Sequence, residues 1–521
     1  MLPYSSLLDM PGCEETTVYL DADGDGYGDP ATAMRSCGAP NNAVENALDC
    51  DDENAALSPA SDAVCADGID NDCDDTPDCA SLDGRTGLDE ATAILTDEIE
   101  SAAGFGNAID DLTGDGIADL VIGAPSATDD VPGHHVYIVK GPVMGQVALR
   151  SDDVIDLTSE EVYGEGAHVA TGDLDGDTYP DLSVGVARAD DNGVFIVDGP
   201  LSGEDLALDD EAIYLTLAYL GDEEGGNTEV QAADVLSSDG QADLLLDTHN
   251  VNNSLSASVF LIPGPIPRSG DVADLAETSL YCLLEGEPAA TESARILGDV
   301  NGDGMQDLVA SAASSQSVSI IFEVPSGTMD IADVADVKIE DEFYSMGGEF
   351  LGLGDVDGDG LDDLLAGGIS TDDVYWTGGG LVYLYSSALL NAAAAGSLLD
   401  GYDDATAIFD GPDNSQLGMS LAAPGDLNED GYADIFLGDP QASRGDDSEY
   451  AGYASLWYGP VEGTVAGTSG DIRIVGDEIG SRTGWRVAAR PRDELNNAIL
   501  LVGTWPFFGT SALYQFTPDG Y

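Results

Sequence analysis

Acidic side chains recur along this chain at a spacing suited to holding a hard cation. Between Gly354 and Leu365, carboxylates stand at loop positions one, three, five and nine (Asp355, Asp357, Asp359, Asp363), with glycines at positions four and six. Those glycines let the backbone turn sharply without a Cβ penalty. Ca2+ takes its ligands from flexible carboxylates and backbone carbonyls, here with the carbonyl of Leu361 at position seven. The spacing returns as Asp111, Thr113, Asp115, Ile117 and Asp119, and as Asp173, Asp175, Asp177, Tyr179 and Asp181. It appears again as Asp299, Asn301, Asp303, Met305 and Asp307, and as Asp426, Asn428, Asp430, Tyr432 and Asp434. A decayed copy with one extra residue, Asp234 to Asp243, is expected to be metal-free. A single Asp-Gly turn needs no metal. Five loops with oxygen ligands at alternating positions predict cation binding, one Ca2+ in each.

The elements that must carry these loops follow from their intervals. Starts at 111, 173, 299, 355 and 426, with the decayed copy between, imply units of about 60 residues, the spacing of a large repeat fold. A seventh unit keeps strands at Trp485–Ala489 and Ala498–Gly503 but has lost the loop, and its Pro491-Arg492-Asp493 region is expected to bind nothing. Each unit shows four short apolar runs, in the first one Phe105–Ile109, Leu120–Gly123, Val136–Val139 and Val154–Leu157. Four short strands per unit, separated by Gly and Asp turns, match a propeller blade. The last unit stops one strand short, and an orphan run near Thr92–Thr96 precedes the first. The predicted fold is therefore all-β: a seven-bladed β-propeller over 83–521, closed by its N-terminal strand, after a loop-rich module over 1–82. Such closure removes an open sheet edge.

Gly104-Phe105-Gly106, followed by an acidic loop and by Gly123-Ala124-Pro125, resembles an FG-GAP repeat, the unit of the integrin α-subunit propeller. The resemblance covers about residues 85 to 521 and implies a calcium-stabilised, extracellular propeller. Its name-giving residues change in later units, to Gly185-Val186-Ala187, Gly438-Asp439-Pro440 and Gly503-Thr504-Trp505-Pro506. In the N-terminal module, Asp21, Asp23, Asp25, Tyr27 and Asp29 repeat the ligand spacing, and Asp67 to Asp75 adds a second acidic run. This module resembles acidic, cysteine-containing metal-binding modules of bacterial surface proteins and, more distantly, thrombospondin type 3 repeats. It is expected to hold one or more Ca2+.

Composition sets the remaining bounds. The 521 residues carry 101 acids against 14 Lys and Arg, a formal charge of −87. That balance argues against nucleic acid and anionic membrane surfaces as partners. The five intact propeller loops account for only 17 of the 101 acidic side chains, so most of the rest must face screened solvent, as in a saline habitat or a cation-rich envelope. Six of the seven cysteines precede residue 80. An even cluster in an acidic, loop-rich segment reads as disulfides formed in an oxidising compartment, and no paired CxxC spacing supports zinc. Of the 15 pairings open to six cysteines, local spacing favours Cys37–Cys50 and Cys65–Cys73, leaving Cys13–Cys79. Met1 to Met10 lacks a basic n-region and an apolar core. An extracellular or cell-surface location is thus inferred from chemistry, and no membrane span and a monomer are expected.

Catalysis has little support. His134, His135, His168 and His249 are scattered, and no GxSxG, HExxH or P-loop occurs. His134-His135 precedes a strand and reads as a satisfied surface pair, with a weak metal site as the alternative. The protein is not expected to be an enzyme; the alternatives are a propeller hydrolase or lyase acting on polysaccharide, or a purely structural envelope protein. Connections on the face away from the acidic loops carry Tyr375, Trp376, Tyr450, Trp505, Phe507 and Phe508, aromatics among polar residues that suit contact with a protein or glycan. Arg444-Gly445-Asp446 spells the motif that integrins recognise, which one acidic, glycine-rich chain can contain by chance.

Overall fold

The computed structural model describes residues 16–22, 27–28, 32–36, 43–44, 46–47, 84–96, 107–124, 134–151, 153–159, 168–186, 192–201, 205–208, 212–217, 227–236, 239–249, 259–284, 287–289, 291–312, 317–340, 345–352, 354–369, 380–393, 397–412, 415–443, 450–476, 480–492, 498–505 and 511–517. The six N-terminal cysteines, Asp23, Asp25, Asp29, Tyr375, Trp376, Phe507, Phe508 and Arg444-Gly445-Asp446 lie outside these residues, as does the side chain of Cys282. The chain divides into two units, Asp83–Thr517 and a smaller one formed by Met1–Leu82 with Pro518–Tyr521. In the smaller unit, Thr16–Leu20 pairs with Met34–Ser36 on one side and Ala43–Val44 on the other. Val18 is buried there, and the Leu20 N–H donates to Thr32 Oγ1 at 2.8 Å.

The larger unit is almost entirely β, arranged as a run of antiparallel sheets. The first acidic loop joins Asn107–Asp110 to Asp119–Ala124, which pairs onward with His134–Val139 and then Ile155–Ser159. The same order recurs through the sheets that begin at His168–Gly172, Asn227–Ala233, Thr291–Ile296, Ser345–Gly352, Ser420–Gly425 and Arg486–Arg490. Second strands are buried along their whole length, as in Asp181–Val186 and Asp434–Asp439. The fourth strand Ile155–Ser159 alternates between buried and half-buried residues, as successive side chains point to opposite faces.

Apolar cores fill the spaces between consecutive sheets. Val121, Val136, Ile138 and Leu157 of one sheet interdigitate with Leu182, Val184 and Phe195 of the next. The first strands of successive sheets are neighbours, and Arg486–Arg490 of the last also neighbours Asn107–Asp110 of the first. The last sheet takes its fourth strand from the N-terminal side, where Ala93–Thr96 runs antiparallel to Ala512–Phe516. Leu95 there packs with Leu501 and Leu513 against Leu120 and Tyr137 of the first sheet.

A fifth strand was not legible in the sequence. The segment between the third and fourth strands of most units runs parallel to the fourth strand of the preceding sheet. Leu206–Ala207, Gly327–Asp330, Ser397–Asp400 and Gly463–Ala466 do this, and Gly145–Ala148 covers Ala93–Thr96. Gly84–Gly87 covers Ile472–Val475. Each covers an edge that would otherwise present unpaired backbone groups.

Leu95 is fully buried, and truncating it leaves a cavity between the terminal sheets. Leu95→Ala is expected to cost about 2–5 kcal/mol, read as a lower denaturant midpoint with an unchanged slope. A midpoint equal to that of the parent would mean that the N-terminal strand is not part of the core.

Candidate metal centres

Each acidic loop is first a hydrogen-bonded turn. The position-one carboxylate gathers backbone N–H groups of positions four to six at 2.6–3.1 Å; Asp355, for example, accepts from Gly358, Asp359 and Gly360. Asp173 and Asp299 do the same, while Asp111 and Asp426 accept from positions five and six. Position-five carboxylates accept the N–H of position seven: Asp115 from Ile117, Asp177 from Tyr179, Asp303 from Met305, Asp359 from Leu361 and Asp430 from Tyr432. Asp175, Asn301, Asp357 and Asn428 at position three each accept the N–H of position five. These are Asx-type turns, and the glycines at positive φ, such as Gly358 at 81° and Gly360 at 90°, make them possible.

Position nine behaves differently. Asp119, Asp181, Asp243, Asp307, Asp363 and Asp434 are all 0 % exposed. One carboxylate oxygen accepts an N–H from position two or three of its own loop, as from Leu174, Val300, Val356 and Leu427. In four of these residues the other oxygen accepts the N–H of a Gly-Pro turn that follows the third strand, at Gly141, Gly199, Gly264 and Gly459. For Asp363 the N–H comes from Ser387. The turn glycine has no room for a side chain, since a Cβ on Gly199 would lie 2.2 Å from the Pro180 carbonyl. The decayed loop keeps this latch: Val235 and Leu236 donate to Asp243, and Gly264 closes the far side. The latch therefore persists in a loop that has lost its position-three ligand, although Asp234 and Asp239 still accept the Gly240 and Gln241 N–H groups.

The remaining oxygens set what a loop can bind. Each carboxylate offers about four lone-pair sites, and one or a few N–H bonds leave some open. Among the described residues, ligand atoms of Asp173, Asp175 and Asp181 lie within 4.8 Å of one another, and so do those of Asp355, Asp357 and Asp359. The donors are all oxygen, with no nitrogen or sulfur, which fits a hard cation such as Ca2+ and disfavours zinc or copper. Asp21 and Tyr27 are the described members of the N-terminal set.

Burial raises the position-nine carboxyls of the five intact loops, with neighbouring loop carboxylates adding to it and the backbone N–H bonds opposing it. Asp181, Asp363 and Asp434 are pushed to about 6 and Asp307 to about 7, and Asp119 moves in the same direction. A bound cation would favour the ionised forms.

Long-range partners of the loops carried no signal in the spacing. Arg268 bridges Asp175 and Asp198, and its Nη2 lies 2.9 Å from Asp175. It therefore shares the position-three carboxylate of the second loop with any cation there. Ser387 Oγ donates to Asp359 at 2.7 Å, and Arg492 pairs with Glu429 at position four of another loop. The expected surface pair His134-His135 needs correction at His135. That side chain is only 12 % exposed, its Nδ1 lies 2.7 Å from Asp156, and its ring stacks on Tyr137. His168 and Arg295 both approach Glu229 on neighbouring first strands.

Of the aromatic residues expected on the opposite face, Tyr450 and Trp505 are described. Trp505 follows the second strand Ile499–Thr504, and Tyr450 precedes the third strand Tyr453–Trp457. Both therefore stand at the end of their sheets away from where acidic loops enter second strands. No helix among the described residues is long and apolar enough to cross a membrane.

Repeated antiparallel sheets, with an acidic turn between first and second strands, define a class that comparison with known proteins identifies. Residues 417–457, which span the Asp426 loop and its flanking strands, match the FG-GAP repeat. A 93-residue stretch is 34 % identical to integrin alpha-3 of Mus musculus, covering 18 % of this chain and 8 % of that relative. Over these residues the chain is similar to an FG-GAP repeat and to part of an integrin α subunit, and it spans less than a tenth of that relative's length.

The latch and the cation set can be separated by mutation. Asp243→Asn, in the loop without a full ligand set, is expected to cost about 1–3 kcal/mol equally with and without Ca2+. Asp357→Asn is expected to lower the melting temperature only when Ca2+ is present. A Ca2+-dependent loss at Asp243 would contradict the assignment of the latch as purely structural.

The raised carboxyls also fix a pH dependence. Their folded pKa values exceed the unfolded ones, so the cation-free fold binds more protons than the unfolded chain between about pH 4 and 7 and loses stability as pH rises. Cation binding must then release protons, and affinity should increase from pH 5 to 8. Calorimetric titration in two buffers of different ionisation enthalpy measures the release; identical heats would exclude it.

Proposed function

We propose that this chain is an extracellular or surface-displayed β-propeller that acts in adhesion, binding a protein or a glycan through the face opposite its acidic loops. The single observation that carries this reading is the segregation of the two ends of the sheets. Loop carboxylates cluster where chain enters the second strands, with Tyr179 exposed among them, while Tyr450, Trp485 and Trp505 stand partly exposed at the other end, the two indoles edge to face. The FG-GAP match and the integrin alpha-3 similarity support an adhesion role.

The seven sheets of the larger unit are read as seven blades of one ring. The pairing of Ala93–Thr96 with Ala512–Phe516 and the neighbouring of Arg486–Arg490 with Asn107–Asp110 support closure. Ca2+ in the five intact loops is structural in this reading. Asp and Asn side chains at positions one, three, five and nine would hold it, and it would neutralise carboxylates that otherwise repel. With Kd on the order of 0.1–1 mM and about 1 mM free Ca2+, each ion would add about 0.4–1.4 kcal/mol. The N-terminal module is proposed to add one or more Ca2+ and three disulfides.

A chelator is expected to lower the melting temperature on the order of 5–10 °C, and an unchanged melt would sink the calcium assignment. A glycan and protein binding screen with and without Ca2+, repeated on a Tyr450→Ala/Trp505→Ala variant of unchanged melting temperature, tests the binding face. A ligand lost in the variant supports it. Ligands bound equally by both proteins, or none bound by either, would overturn it.

A further inference from the structure

Position seven of an acidic loop offers a cation only its backbone carbonyl, so the ion places no demand on the side chain. The residues there are nevertheless large and mostly apolar: Ile117, Tyr179, Met305, Leu361 and Tyr432. Three of these side chains lie on the loop before their own. Tyr179 covers Gly114, position four of the preceding loop, where a Cβ would come 3.2 Å from its Cε1. Leu361 covers Gly302 in the same way, and Tyr432 covers Gly358. Gln241, position seven of the decayed loop counted back from Asp243, covers Gly176. The Asp426 loop has Glu429 at position four, and Arg492 of the following unit pairs with it.

The covered glycines are the ones that shape the loops. Gly114, Gly176, Gly302 and Gly358 hold φ between 71° and 84°. The N–H groups of the last three bond to the position-one carboxylate at 2.6–2.7 Å. Main-chain bonds join the loops in the same direction. The position-eight N–H donates to the position-one carbonyl of the preceding loop, from Ala242 to Asp173 at 2.9 Å, from Asp362 to Asp299 at 3.3 Å and from Ala433 to Asp355 at 2.8 Å. Position-two carbonyls accept from the turn after the third strand of the next unit, Leu112 from Leu201 and Leu174 from Ile266. Pro180 stands at position eight and has no N–H to give. Between the first two loops the cover of Tyr179 and the Leu201 bond remain.

Each such loop would therefore hold its ion with a residue whose side chain completes the loop before it. An ion that fixes the position-seven carbonyl also fixes the side chain on the neighbouring glycine and the adjoining position-eight N–H. The neighbouring loop then meets its own ion already ordered on that side, and the cost of ordering the shared contact falls on the first ion alone. Thermodynamic linkage makes the effect mutual. Repulsion between ions on adjacent loops is the opposing force. Three or four carboxylates surround each dication, so an occupied loop carries no net positive charge, and salt screens the remainder over about 8 Å.

We infer that the acidic loops bind Ca2+ cooperatively in two runs, one of the loops at Asp111 and Asp173 and the other of those at Asp299, Asp355 and Asp426. The coupling passes from the position-seven side chain of one loop to the position-four glycine of the loop before it. It rests on the reading of these loops as Ca2+ sites and adds that each run fills over a narrow range of Ca2+. The decayed loop divides the runs, because Gln241 and the Ala242 N–H hold the Asp173 loop without a full ligand set behind them. Tyr179, Leu361 and Tyr432 are positioning residues in this scheme, each acting on an ion other than the one its own carbonyl would hold.

The test is a Ca2+ titration of the cation-free full chain, by calorimetry and by competition with a chromophoric chelator. Far-UV circular dichroism recorded alongside separates binding from refolding. The parent is expected to give an isotherm steeper than a single-site curve with an unchanged spectrum. Tyr432→Ala and Leu361→Ala should each weaken the ion of the preceding loop about fivefold and flatten the curve at unchanged stoichiometry. Tyr432→Phe keeps the cover and should keep the parent curve. Asp430→Asn, which removes one ion, should weaken a second about fivefold. If Tyr432→Ala fails to fold, Leu361→Ala tests the same coupling one loop earlier. A merely structural role for these side chains would lower the melting temperature in chelator and leave the shape of the isotherm alone. Independent binding, steepness that survives both alanine variants, or steepness that accompanies a change in the far-UV spectrum would overturn the coupling and leave the Ca2+ sites standing. No Ca2+ bound at all would overturn both.

Discussion

A buried aspartate at the start of each loop-bearing second strand is the interaction on which the larger unit depends. It joins three pieces of chain that are distant in sequence: the acidic loop, the second strand and the turn after the third strand. An ionised carboxylate taken out of water is costly unless its oxygens are satisfied. Here backbone N–H groups satisfy them from the loop side, and in most copies from the turn side too. The need for close approach explains the turn glycines, because the amide can reach the carboxylate only where no Cβ intervenes. The decayed loop separates this role from cation binding, since Asp243 keeps both contacts although the outer ligand set is broken.

Around this latch the outer carboxylates both accept the N–H groups that shape the turn and keep oxygens close to one another. Their N–H bonds shape the loop, and their proximity to one another makes a positive ion welcome. Arg268 shows that the same demand can be met from within the chain, where a guanidinium reaches Asp175 from 93 residues away. The remaining acids far outnumber the chain's 14 Lys and Arg. Their repulsion is spread over the surface and depends on screening by the solvent.

Edge protection is the second organising constraint. A row of separate sheets would expose one outer edge each, and here the following unit supplies a short parallel strand to cover it. The N-terminal residues 84–96 supply both the cover for one sheet and the fourth strand of the next. Because antiparallel order places every acidic loop at one end, the connections at the other end are free to carry different chemistry. That is where Trp485 meets Trp505 edge to face, with the Arg482 guanidinium over the Trp485 ring.

The amino-acid sequence by itself determined the loops, the repeat interval and the four main strands of each unit. All three are local: alternating carboxylates, paired glycines and apolar runs lie within a dozen residues of one another. Even the orphan run near Thr92–Thr96 was legible, because the last unit was visibly one strand short. The tertiary structure alone decided what each aspartate does. Position nine looks in the sequence like one more cation ligand, and only its burial and its bond to a turn some 18 to 25 residues on mark it as the latch. The fifth strands were hidden for a related reason. Segments such as Gly145–Ala148 and Gly463–Ala466 are largely exposed and show no alternation, so their strand character comes entirely from the edge they cover. Trp485 and Trp505 likewise come from connections on either side of the pair Arg486–Arg490 and Ile499–Thr504, and no spacing rule joins them. What is encoded locally is the turn and the strand; what depends on the fold is which buried charge is satisfied and which side chains become neighbours.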